Sequence, residues 1–222
     1  MNIAQYIDHT LLKPTATKNQ IKKLCKEAVQ HGFYSVCVNG CYVEYVADLL
    51  SEQPVKVAAV VGFPLGAMDT ESKVFEAKKC VENGADEIDM VINVSLLKSG
   101  CYMKVADEIR LIKEAIGDKT LKVILETCYL NSEEIIVASQ MVVSGRADFV
   151  KTSTGFGTGG AKLVDVLLMK EVVGNLAEIK ASGGIKDFET AVSFIEAGAT
   201  RLGTSSGVAI VTKKQPTDEY TY

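Results

Sequence analysis

Residues 84–92 read Gly84-Ala85-Asp86-Glu87-Ile88-Asp89-Met90-Val91-Ile92. The glycine stops a helix, the next two residues turn the chain, and a short apolar run follows. The same order returns at Gly198-Ala199-Thr200 before RLGTS, and in near form at Gly145-Arg146-Ala147-Asp148. Working outward, eight such runs begin near Ile7, Tyr34, Lys56, Glu87, Leu121, Asp148, Glu178 and Arg201, spaced 22 to 34 residues apart. Each is short and nearly continuous in apolar character, as parallel strands covered on both faces are. Helical spacing fills the gaps. Thr17 caps a helix carrying Ile21, Leu24, Cys25 and Ala28. Glu71 to Val81 places Val74, Ala77 and Val81 on one side. Ser132 starts a helix that ends before Gly145, and Asp187 starts one closed by Gly198. Eight strand–helix units predict an α/β chain folded as a single-domain (β/α)8 (TIM) barrel over residues 1–211. The tail from Thr212 to Tyr222 reads as loosely structured. A doubly wound sheet gives the same alternation, but no Gly-x-Gly-x-x-Gly follows the first strand.

Composition narrows the class. The chain has 222 residues, 47% of them hydrophobic, with a net charge of −4. It is long enough to bury a core without disulfides. The charge gives no support to nucleic-acid binding. The most apolar window, Val57 to Met68, is interrupted by Pro64 and is too short for a membrane span. The N-terminus lacks the pattern of an export signal, so a cytoplasmic protein is expected. The six cysteines form no C-x-x-C pair, and the two histidines are distant from them, so they read as buried thiols rather than a zinc site. With only Arg110, Arg146 and Arg201 as arginines, a phosphate would be held largely by backbone or lysine.

In a barrel of this kind the chemistry lies at the C-terminal ends of the strands. Charge inside the strand runs is therefore informative, and six positions qualify: Asp8, Asp89, Lys122, Glu126, Lys151 and Lys180. Lys122 and Glu126 share one face of LKVILE by alternation. A structural ion-pair network is the alternative for any one of them. Three lysines in one mouth, however, repel one another and suffer desolvation, which leaves one as a free amine. A free amine forms a Schiff base with a carbonyl. The residues alone do not say which lysine is the nucleophile. Glycine- and hydroxyl-rich loops follow the last three strands: Thr152 to Gly160, Ser182-Gly183-Gly184, and Gly203-Thr204-Ser205-Ser206-Gly207. They suit an anion, with tight turns as the alternative explanation.

The segments IDHTLLKP from Ile7, SVCVN from Ser35, VVGFPLGA from Val60, GADEIDMVIN from Gly84, LKVILET from Leu121, ADFVKTSTGFGTGGA from Ala147, IKASGGI from Ile179 and LGTSSGV from Leu202 carry a resemblance across almost the whole chain. Together they resemble the deoxyribose-phosphate aldolases, class I aldolases on a (β/α)8 barrel. The resemblance implies reversible cleavage of 2-deoxy-D-ribose 5-phosphate to D-glyceraldehyde 3-phosphate and acetaldehyde, with no cofactor and no metal. It implies Lys151 as the Schiff-base lysine, Lys180 as the lysine that perturbs it, and Asp89 as the acid/base carboxylate. Asp8 matches a substrate-contacting carboxylate. Gly183, Gly184, Ser205 and Ser206 match the phosphate-binding region, and Thr152 and Gly155 line the same mouth. Tyr222 matches a terminal tyrosine that some members use in proton transfer, with Tyr220 as its competitor. The family often has proline after Val-Asn of the second strand, where this chain has Gly40. Cys37 reads as a buried strand thiol, and His9 as a structural residue. The expected partner is a small phosphorylated sugar, with no nucleic acid or membrane, and exposed apolar helices favour a homodimer. A Schiff-base aldolase for another sugar phosphate and a non-catalytic sugar-phosphate binder are the rivals.

Overall fold

The computed structural model describes residues 1–214. Tyr220, Tyr222 and most of the predicted tail lie outside them. Eight parallel strands close a barrel in the order β1 to β8: Ile7–Leu11, Ser35–Asn39, Lys56–Val61, Glu87–Val91, Thr120–Ile124, Phe149–Lys151, Glu178–Ser182 and Arg201–Thr204. Every strand starts within one residue of its expected position. The closing seam pairs Asp8 with Gly203 across β1 and β8. Outside run α1 Lys18–His31, α2 Val43–Leu50, α3 Thr70–Glu82, α4 Val94–Lys98, α5 Tyr102–Ile116, α6 Ser132–Ser144, α7 Leu163–Val173, α8 Phe188–Glu196 and α9 Gly207–Thr212. The final helix carries the barrel one residue past the expected limit of 211. No helix among the described residues is long and apolar enough to cross a membrane.

Local chemistry accounts for the helix ends. Thr17 accepts from the Gln20 amide while the Gln20 side chain accepts from the Thr17 amide, a reciprocal cap on α1. Asn131, one residue before the expected start, does the same with Glu134 on α6. The left-handed turn residue is Gly84 (φ 103°) before β4 and Gly198 (φ 109°) before β8. Before β6 that position falls on Arg146 (φ 62°), not on Gly145. A non-glycine residue is uncommon there.

Strand alternation divides the interior. On β1, Ile7 and Leu11 face the helices in the main apolar core, where His9 Nε2 meets Glu27 of α1 at 2.8 Å. His9 is thus structural, as expected. Inside the barrel, Leu12, Cys37, Ala58 and Val60 form a small apolar cluster on the β1–β3 side. The charged groups line β4 to β8 and reach Asp8 on β1.

Helix α3 packs its expected face, Val74, Ala77 and Val81, against the core and also buries Lys73 and Cys80. Val74 and Val81 are only partly covered. Lys73 turns inward because Glu108 of α5 meets its Nζ at 2.7 Å, and the same Nζ donates to the Val91 carbonyl at 2.9 Å. This pair ties α3 and α5 to the C-terminal end of β4, beside Asp89. Removing one partner leaves a buried charge alone. Glu108→Gln is therefore expected to lower unfolding stability by about 3 kcal/mol in urea titration, and Lys73→Met with Glu108→Leu to recover most of it.

Candidate active site

The charged side of the barrel is one connected network. Asp89 is its centre. Its Oδ2 accepts from Lys151 Nζ at 2.7 Å and from Lys180 Nζ at 2.8 Å, and its Oδ1 accepts from Lys122 Nζ at 2.8 Å. Lys122 also donates to Glu87 at 2.6 Å, and Lys180 donates to Asp8. Arg201 Nη1 closes the lower end with Asp8 Oδ1 at 2.9 Å and Glu87 Oε2 at 3.1 Å. The backbone provides the space. A Cβ on Gly203 would lie 2.8 Å from Ser182 Cβ and 3.0 Å from Lys180 Cε, so only glycine leaves room for the Lys180 chain.

The environment separates the three lysines. Burial pushes the Lys151 ammonium below its ordinary pKa, and the Lys180 charge adds to this against the pull of Asp89. Lys180 moves the other way. Burial disfavours its charge, but Asp8 and Asp89 outweigh that and hold it protonated. Lys122 is likewise raised, with Asp89 and Glu87 overcoming burial. Burial would raise both Asp89 and Asp8. The lysines, with Arg201 at Asp8, reverse this and hold both carboxyls below the usual range. Cys37 is fully buried, and burial followed by Asp89 pushes its thiol up. It is a buried strand thiol, in keeping with its expected place.

Above Lys151 lies a cavity of about 190 Å³ at the C-terminal ends of the strands. Lys151 is the single member of the network that lines it. Gly155, Gly183, Gly184 and Ser205 form the wall, together with Lys186. Gly183 (φ 86°) and Gly160 cross so closely that a Cβ on Gly183 would lie 2.9 Å from the Gly160 Cα. Glycines there bring backbone amides to the cavity edge, the arrangement that suits an anion. A larger depression, about 790 Å³, opens at the opposite, N-terminal face beside Arg201 and Glu87, and Lys151 does not line it.

Several expected site residues sit elsewhere. Asp8 has no exposed surface and pairs with Lys180 and Arg201 instead of facing the cavity. Thr152 is also buried, its hydroxyl shared between the Ser182 amide at 3.1 Å and the Ser182 carbonyl at 3.2 Å. It joins β6 to β7 and does not line the mouth. Ser206 is buried, its amide taken by Thr204 Oγ1 at 2.9 Å. Glu126 does not share the Lys122 face. The strand ends at Ile124, and Glu126 turns left-handed (φ 55°) and binds the Thr154 amide and hydroxyl. Tyr222 lies outside the described residues. Conversely, Glu87, Arg201 and Lys186 escaped the sequence reading. Glu87 stands two residues before Asp89 on one strand face, and Arg201 two before Gly203, so alternation carried both signals. Lys186 follows the Gly-Gly turn. Among the described residues, no His, Cys, Asp or Glu side chains gather in a group fit to hold a metal ion.

A lysine open to a glycine-walled cavity, beside a carboxylate and a lysine held protonated, has the groups with which an amine can form a Schiff base with a carbonyl. The DeoC/LacD family aldolase model matches residues 2–213. The chain belongs to this aldolase family. The deoxyribose-phosphate aldolase of Brevibacillus brevis is 56% identical over 217 residues, spanning 98% of each chain. A solved aldolase, QR15, superposes with a TM-score of 0.93 at 43% identity, covering 96% of each chain. The tetrameric deoxyribose phosphate aldolase of Aeropyrum pernix gives 0.86 at 35% identity, covering 95% of this chain and 90% of its own.

Proposed function

We propose that this family member cleaves 2-deoxy-D-ribose 5-phosphate reversibly to D-glyceraldehyde 3-phosphate and acetaldehyde, with Lys151 as the nucleophile. The observation that carries the assignment is that Lys151 alone among the buried lysines opens on the cavity, and within the charged network its ammonium is the one pushed down, while Lys122 and Lys180 are raised. Its amine adds to C1 of the open-chain sugar, and loss of water gives a cationic imine. Asp89 beside the imine nitrogen balances that charge. A base, Asp89 acting through water, takes the C3 hydroxyl proton, the C2–C3 bond breaks, and its electrons pass into the imine. D-glyceraldehyde 3-phosphate leaves and an enamine remains. Lys180, held protonated, supplies the proton to C2, and water releases acetaldehyde and the free amine. The phosphate is assigned to the backbone of Gly183, Gly184 and Ser205, where Lys186 adds a positive charge and Gly155 closes the wall. The sugar phosphate is the sole small-molecule partner in this scheme, and the enzyme is assigned to the cytoplasm.

A homodimer is part of the same proposal. Leu163, Val164 and Leu167 of α7 are 43–65% exposed, an apolar stripe suited to a second copy.

Borohydride trapping with 2-deoxyribose 5-phosphate, followed by peptide mass spectrometry, tests the mechanism. The expected product is an ethyl group on Lys151. An adduct on Lys122 or Lys180 would move the nucleophile. No adduct, with substrate bound, would leave a binding protein.

A further inference from the structure

The network beneath the cavity holds four cations, Lys122, Lys151, Lys180 and Arg201, against three anions, Asp8, Glu87 and Asp89. All seven are at most 5% exposed. A buried set of charges is most stable when they cancel, so one proton is in excess. Three observations decide where it leaves. Arg201 does not give up a proton. Lys122 and Lys180 each contact two carboxylates at hydrogen-bond distance, whereas Lys151 contacts one. And only Lys151 meets the cavity.

Arg201 is the cation that creates the excess. It lies at the floor of the barrel, its guanidinium 3.4 Å from the centre of the Tyr34 ring, and reaches Asp8 and Glu87 from below. Were it absent, three lysines would face three carboxylates, and Lys151 would remain an ammonium. We propose that Arg201 is a positioning residue for the Schiff-base chemistry, supplying from the opposite end of the barrel the surplus charge that keeps Lys151 a free amine. The inference rests on Lys151 being the nucleophile.

Of the other cations near Lys151, Lys180 also lowers its ammonium, but Lys180 and Lys122 each sit between two carboxylates, so neither is the surplus. Asp89 of β4 and Lys180 of β7 touch or adjoin it, Asp8 and Lys122 stand one contact beyond, and Glu87 stands behind Lys122. Cys37 of β2 is a neutral thiol, and β3 presents Ala58 and Val60. At the mouth, Glu126 is engaged by Thr154, and Lys186 lies on the loop after β7, on the substrate side.

The test is the pH dependence of kcat/KM for deoxyribose 5-phosphate cleavage, with borohydride trapping at Lys151 followed over the same range. It uses the full chain as wild type, Arg201→Gln, Arg201→Lys and the double variant Glu87→Gln with Arg201→Gln. Arg201→Gln is expected to move the acid limb upward by about one pH unit, a loss of about tenfold at a pH on that limb. Arg201→Lys keeps the charge and leaves the limb in place. The double variant restores a one-cation excess and returns the limb toward wild type. An acid limb unmoved in Arg201→Gln, whatever the fall in rate, overturns the proposal. Should Arg201→Gln not fold, Glu87→Gln alone carries the test. Its limb moves downward if the charge count governs Lys151, and an unmoved limb is equally fatal. Absence of a Lys151 adduct in the wild type would instead overturn the nucleophile assignment beneath it.

Discussion

Replacing Lys151 with methionine abolishes turnover and leaves the barrel at least as stable as before. The rate is expected to fall by about four orders of magnitude or more, the scale on which enzymes lose activity when a covalent nucleophile goes. The stability outcome separates this residue from its neighbours. Lys151 has one carboxylate partner, Asp89, which keeps Lys122 and Lys180 after the change. The substitution removes a neutral amine, so the three cations and three anions that remain still cancel, and the methionine chain fills the space of the lysine stem. Initial-rate assays and thermal unfolding on one preparation decide the matter. Activity within tenfold of wild type would place the nucleophile on another lysine. A large fall in stability would mean that Lys151 is chiefly a structural partner of Asp89.

Asp89→Asn carries the second large effect and the opposite pattern. Asp89 is the one carboxylate contacted by all three lysines. An asparagine keeps the shape but leaves three buried cations, Lys122, Lys180 and Arg201, facing two anions, Asp8 and Glu87. Loss of about 3–5 kcal/mol of stability is expected, the cost of breaking a buried pair from one side. Turnover is expected to fall by about 10²–10⁴, as when a general acid or base is removed. Lys151 loses its only counter-ion in the same change, so its amine is freer, and reductive trapping of an aldehyde on Lys151 should persist while cleavage stops. Persistent trapping with lost turnover assigns Asp89 to proton transfer. Near-normal turnover would remove it from the mechanism.

Much of this architecture was legible in local sequence. Strand starts fell within one residue because β-branched runs and glycine stops act over a few residues. Asp89, Lys151 and Lys180 stood out because a charge in an apolar strand is costly unless something uses it. Glu87 and Arg201 were harder to see. Each opens its strand, where a charged residue normally reads as solvated. Glu126 was misplaced because alternation was carried two residues beyond Ile124, past a left-handed backbone that no pattern of polarity announces.

The alternating periods of two and of about 3.6 are properties of neighbouring residues, and from them the sequence alone determined eight strand–helix units and marked Asp8, Asp89, Lys122, Lys151 and Lys180 as charges inside strands. Which charge meets which was decided by tertiary structure. Arg201 reaches Asp8 across 193 residues of chain, and Lys180 reaches it across 172. Those contacts exist only once β8 closes against β1. Closure also buries Asp8 beneath Lys180 and leaves Lys151 alone open to the cavity. The protonation of each lysine follows from how many carboxylates surround it in three dimensions, and that number has no local trace in the chain.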